Sequence, residues 1–229
     1  MRTSKQNTDK IKRLTAVAMF CALAYVCMLV IKIPVSFLTL DIKDSMIILC
    51  SLLFGPISGV TLAILVPLLE LITLGGETGV YGFLMNILSS LSFAAVTGLI
   101  YRWKRSLFGA IAALLSGVFA MTAVMMLANL LITPHYLGVT AKDVAVLIPT
   151  LLLPFNLIKA ILNAAIALLL YKPLSLTLKK IGFLGGAQNG GNTSVSSHNQ
   201  RLRSIFVTIS AVLLIALSLT VVFLVLRPN

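Results

Sequence analysis

Long apolar runs separated by short polar breaks dominate this chain, and their lengths predict its elements. A helix needs about 20 apolar residues to cross the hydrocarbon core of a bilayer. Runs of that length or close to it predict helices over about Leu14 to Ile31, Ile57 to Leu74, Val80 to Tyr101, Leu107 to Ile132 and Pro154 to Leu178. A shorter helix, about Ser45 to Phe54, stops at Gly55-Pro56. Ile33 to Asp44 reads as a loop that carries Pro34 and the polar cluster Thr39, Asp41, Lys43 and Asp44. Gly75 to Gly79 reads as a turn, Thr133 to Asp143 as a loop, and Val144 to Leu153, which holds Pro149, as a lead-in to the next helix. Gly185 to His198 has the texture of a flexible linker, and Ile205 to Leu226 forms a seventh apolar span. The expectation is an all-α integral membrane protein. Residues 1–182 form a six-helix membrane domain, 183–203 a cytoplasmic linker, and 204–229 an extra C-terminal transmembrane helix.

Composition narrows the class further. The chain is 59% hydrophobic and 10% charged, with a mean hydropathy of +1.06, which excludes an ordinary soluble domain. The net charge of +12 does not point to nucleic acid, because the basic residues cluster beside apolar spans, where they set membrane orientation. Thirteen of the 18 Lys and Arg residues, including Lys10, Lys12, Arg13, Arg102, Lys104, Arg105, Lys179 and Lys180, fall on one side of the seven-span topology. That side is the cytoplasmic one, so the N-terminus is inside and the C-terminus outside.

Catalytic chemistry finds no support. Cys21, Cys27 and Cys50 lie in apolar runs without metal-ligand or redox spacing, and read as small hydrophobes. No phosphate-binding loop of the Gly-x-x-x-x-Gly-Lys-Ser/Thr type occurs. His135 and His198 lack carboxylate or thiol neighbours at ligand spacing, and no serine has a plausible base. No enzyme, metal site or cofactor is expected.

The informative residues are polar groups inside apolar runs. Asn156, Lys159 and Asn163 recur at three and four residues in the helix begun by Pro154, and therefore share a face. A lysine near a helix N-terminus opposes the dipole and is costly within a membrane unless it pairs or reaches water. Lys159 therefore either snorkels to the surface or faces a compensated polar site. Asn129, Glu70, Asn86 and the loop around Thr39 and Asp41 fall at the same depth. Convergence of this kind suggests a ligand pocket, although asparagines also serve as interhelical hydrogen-bonding groups.

Three stretches together, Thr39-Leu40-Asp41-Ile42-Lys43-Asp44, Phe54-Gly55-Pro56-Ile57-Ser58-Gly59 and Leu153-Pro154-Phe155-Asn156-Leu157-Ile158-Lys159, carry a family likeness. With Asn129 upstream, they resemble the substrate-binding S components of energy-coupling factor (ECF) vitamin transporters, most closely the riboflavin-specific members, over about Lys10 to Gly182. The resemblance implies a bacterial cell-membrane protein that binds riboflavin and works with a transmembrane T component and two ATPase subunits. It implies that Asn129, Asn156 and Lys159 contact the vitamin, with Thr39 and Leu40 contributing from the first loop. Glu70 and Asn86 join them as candidate wall residues, and Leu40, Phe83 and Tyr136 are candidates for packing on a flat ring. Pro67 and Glu70 stand where the riboflavin members suggest a basic or amide residue, which keeps another vitamin such as thiamine open as the ligand. Ala18-x-x-x-Ala22 offers a small-residue face, which the resemblance implies would dock on the T component. A non-transporting membrane assembly factor is the reading from a different class.

Overall fold

The computed structural model describes residues 2–74 and 79–183, together with 209, 211–213, 215, 216 and 220. Most of the turn after Leu74, the linker Gly185 to His198 and most of the seventh apolar run lie outside the described residues. The elements in order are α1 (Arg2–Val30), β1 (Lys32–Val35), β2 (Leu38–Asp41), α2 (Lys43–Phe54), α3 (Pro56–Leu74), α4 (Gly79–Trp103), α5 (Leu107–Leu137), α6 (Ala141–Leu147), a π-helical turn (Ile148–Leu152) and α7 (Leu153–Lys180). Among the described residues five helical stretches are long and apolar enough to cross a membrane, and the last of them runs unbroken through α6, the π turn and α7, from Ala141 to Lys180.

Three expectations change. Val144 to Leu153 is helical and continuous with the helix that follows. The π turn reconciles this with Pro149 and Pro154, which lack the N–H groups that regular i to i−4 bonding needs. Helix α5 continues through Pro134 to Leu137 and stops where Gly138 takes a left-handed conformation, φ 68°, with its N–H returned to the Pro134 carbonyl. The first loop is a β-hairpin, a small addition to an otherwise all-helical membrane fold. Ile33 pairs with Leu40 and Val35 with Leu38 across a two-residue turn. These four apolar side chains join one cluster with Phe155 and Leu162, while Thr39 and Asp41 alternate onto the other face.

Helix α2 is short, 12 residues, and 11 of them are buried. A helix apolar on every side belongs in an interior, and α2 sits at the centre of the bundle with α1, α3, α4 and α7 packed around it. By contrast, large apolar side chains on the outer helices are exposed, among them Met19, Ile72, Leu99, Phe119 and Leu131. In a bilayer these are the lipid-facing surface.

Close approach is built from small residues. Ser51 on α2 donates to the Ala94 carbonyl of α4 at 2.7 Å. A Cβ on Gly98 would lie 2.2 Å from Ser51 Oγ, and one on Gly59 2.4 Å from Ser51 Cβ. At one end of the bundle, Arg13 of α1 closes the α2–α3 break by donating to the Phe54 carbonyl at 2.8 Å and to Ser58 Oγ at 3.0 Å. Lys12 reaches the Gly182 carbonyl at 3.4 Å at the same end. The hairpin lies at the other end. Gly98→Ala should cost about 1–3 kcal/mol by overpacking, seen as a lower thermal midpoint in detergent. A midpoint equal to wild type would mean the α2–α4 contact is looser than described.

Candidate binding site

A half-open cavity lies at the hairpin end, walled by the hairpin, α3, α4, α5 and the start of α7. Thr39, Glu70, Asn86, Asn129, Asn156 and Lys159, expected from separate segments, all line it. Leu40 does not. It is buried in the apolar cluster behind the hairpin, because strand alternation sends it to the opposite face from Thr39. Phe83 and Tyr136 line the cavity, as do Phe37, Tyr81 and Phe155. Ala18 and Ala22 lie on an exposed face of α1 and take no part in the cavity.

The compensation that Lys159 requires comes from Asp41. Lys159 Nζ lies 2.8 Å from Asp41 Oδ2 and donates to the Thr39 carbonyl at 3.3 Å. Lys43 Nζ lies 3.4 Å from the same carboxylate oxygen and 3.0 Å from Glu70 Oε2, and it donates to Asn86 Oδ1 at 3.1 Å. Glu70 Oε2 also accepts from Asn86 Nδ2 at 3.2 Å. Glu70 thus pairs with Lys43 rather than Lys159. Lys43 is 1% exposed, although its place in a polar loop suggests a solvated side chain. Burial alone would push the Asp41 carboxyl up, but Lys159 and Lys43 beside it bring it down to about 2. It is therefore ionised at any physiological pH.

Asn163 stands behind this network. Its Oδ1 accepts the Ser45 N–H at 2.7 Å, and its Nδ2 donates to the Asp41 carbonyl at 2.9 Å. It ties α7 to the hairpin and to the start of α2, the interhelical role that asparagine often takes. Asp44, next to Lys43, accepts from Ser90 Oγ of α4.

Two carboxamides are oriented by their own helices. Asn156 Nδ2 donates to the Leu152 carbonyl at 2.8 Å, and Asn129 Nδ2 donates to the Met125 carbonyl at 2.7 Å. A carbonyl partner demands the amide nitrogen, so the amide oxygens are turned the other way. Asn129 Oδ1 accepts from Thr133 at 3.0 Å. Asn156 Oδ1 makes no hydrogen bond among the described residues. One turn further along α7, Lys159 has two partners for its three N–H groups. Helix α7 therefore presents an acceptor and a spare donor side by side, above an aromatic wall.

Lys43 is the member of the network that sequence reasoning left aside, and Asp41, marked there only with its loop, is the centre of that network. The signal for the inward turn of Asp41 was the period-two alternation of Ile33, Val35, Leu38 and Leu40, which makes the segment a strand with one polar face.

Asp41→Ala should cost about 3–5 kcal/mol, because it removes the carboxylate paired with buried Lys159 and leaves Lys43 to Glu70 alone. Adding Lys159→Met should recover part of the loss in a thermal unfolding assay. A double variant no more stable than the single one would sink the pairing.

Comparison with known proteins bears on the whole arrangement. Residues 12–171 match the family model described as the ECF transporter substrate-specific component. The chain is 34% identical to the riboflavin transporter RibU of Staphylococcus aureus (strain TCH60), over 77% of this chain and 97% of that one. It is 30% identical to the riboflavin transporter FmnP of Bacillus subtilis (strain 168), over 71% of this chain and 91% of that one. A solved structure of the S component of a bacterial ECF transporter superposes with a TM-score of 0.63 at 30% identity, covering 74% of this chain and 99% of the other.

Proposed function

The chain belongs to the substrate-specific components of ECF transporters, and from that premise we propose that it captures riboflavin in the cavity at the hairpin end. The observation that carries this reading is the pair Asn156 and Lys159 on one face of α7. The pyrimidine edge of a flavin alternates carbonyl acceptors with one N–H donor. Asn156 Oδ1 matches the N–H, and the spare proton of Lys159 matches a carbonyl beside it. Asn129 and Thr39 complete the polar rim, and Phe83, Tyr136 and Phe155 offer apolar surface to the ring faces. The relatives named as riboflavin transporters support the same ligand.

In this reading the cavity faces outward. The basic end, with Lys12, Arg13 and Arg102–Arg105, is cytoplasmic by the positive-inside rule, as is the N-terminus, and the C-terminal run returns outside. Ligand capture belongs to residues 1–182. Uptake then requires a T component and two ATPase subunits, since the chain carries no nucleotide-binding motif of its own. The exposed Ala18 and Ala22 face of α1 is where the T component docks.

Protein purified in detergent from cells grown with riboflavin should carry a flavin absorption spectrum, and the emptied protein should quench flavin fluorescence saturably at one site per chain. Folded protein with neither property would exclude riboflavin and turn the search to thiamine and other vitamins. Asn156→Ala and Lys159→Ala should each weaken binding about tenfold or more, the worth of one good polar contact. Unchanged affinity in both would remove the proposed site. Replacing Ala18 or Ala22 with Leu should reduce cellular uptake yet leave flavin binding by the purified protein intact. A fall in binding with normal complex assembly would refute the docking role.

A further inference from the structure

The apolar back of the hairpin is covered from one further place in the chain. Val35 and Leu40 of the hairpin are buried with Phe155 and Leu162 of α7, and Ile215 of the C-terminal run packs against this cluster. One turn earlier in that run, Ala211 is 0% exposed, whereas Ile209, Val212 and Leu213 are exposed. Residues 209, 211–213, 215 and 216 are helical, and positions four apart share a helix face. The described part of the run therefore has one inward stripe, Ala211 and Ile215, and turns its other sides to lipid. That is the pattern of a docked helix. An alanine at the point of full burial lets two backbones approach closely. The run lies beyond the family match, which ends at residue 171, so this covering is a property of the present chain.

The hairpin needs such a neighbour. A sheet of two four-residue strands is marginal unless it packs on something larger. Helix α7 serves part of it: the Thr39 and Asp41 carbonyls accept from Lys159 Nζ at 3.3 Å and from Asn163 Nδ2 at 2.9 Å. An open strand edge is not tolerated against hydrocarbon. A lipid tail at the hairpin's back would be apolar but would bring no fixed shape, whereas a packed helix holds the strands in one place.

We propose that the C-terminal run docks on the back of the hairpin through Ala211 and Ile215, and braces the hairpin against α7. The hairpin supplies Thr39 and Asp41 to the cavity wall. A braced wall opens seldom, and a bound molecule leaves slowly. This last step rests on the capture reading above; the docking itself does not.

The test uses the purified full-length protein and two rates. The first is amide hydrogen exchange of residues 33–41 without ligand, read by mass spectrometry, which reports local opening. The second is the release of radiolabelled riboflavin into a chase of unlabelled vitamin. Ala211→Phe pushes the run away by bulk, and Ile215→Ala removes its contact. Each should raise both rates about tenfold or more, the cost of overfilling or emptying one buried apolar site. Leu213→Ala, on the exposed side, should change neither. Ile215→Ala, the milder change, decides the point where Ala211→Phe does not fold. Hairpin exchange at the wild-type rate overturns the docking, as does an equal rise in Leu213→Ala. Faster exchange with unchanged riboflavin release overturns the brace as a holder of ligand. Wild type that binds no riboflavin overturns the capture reading alone, and the exchange rates still decide the docking.

Discussion

Everything at the hairpin end depends on one carboxylate. Asp41 lies between Lys159 and Lys43, each carried by a different helix, with little water to dilute the field. Two lysines buried this deeply would be intolerable alone, since desolvation of each ammonium costs several kcal/mol. Asp41 makes Lys159 possible and shares the charge of Lys43 with Glu70. In doing so it fixes the hairpin against α7 and α2, and through Lys43 it fixes Glu70 and Asn86 as well. The network therefore does two jobs. It stabilises a junction of five chain segments, and it holds the polar rim of the cavity in a single arrangement before any ligand arrives. A ligand then loses little to the ordering of its own site.

The long helices were legible because a membrane imposes a simple rule of length and apolarity, and α3, α4 and α5 obey it. The ends were less legible. Proline reads as a stop, yet α5 runs past Pro134, and the last span runs past Pro149 through a π turn, because tertiary packing outweighs one missing hydrogen bond. The hairpin was hidden by its size. Each strand has four residues, and Pro34 within the first argues against a strand unless its partnerless edge is at hand.

The candidate site was legible in its members and less so in their connections. Lys159, Asn156, Asn129, Glu70 and Asn86 stand out as polar groups within apolar runs, and they meet in space. Asp41 stood out only as part of its loop, and Lys43 did not, since a mixed-charge cluster beside a span looks like a solvated loop. Nothing in the linear order says that Lys43 turns inward to Glu70 while Lys159 takes Asp41. Leu40 shows the same limit in reverse. It adjoins two cavity residues in sequence, and the pleat of a strand turns it away from both.

The shortness of α2 has a consequence for how far cargo must travel. Twelve residues rise about 18 Å at 1.5 Å each, against a hydrocarbon layer of about 30 Å. The cavity sits over the start of this helix, with Asp41 in its lining, and occupies the depth that α2 leaves unfilled. In the outward-facing reading, a molecule seated there has roughly two-fifths of the barrier behind it without any movement of the protein. What remains is a plug about three turns of helix thick, pinned at its far end by Arg13. The energy supplied by a partner complex need only act on that plug.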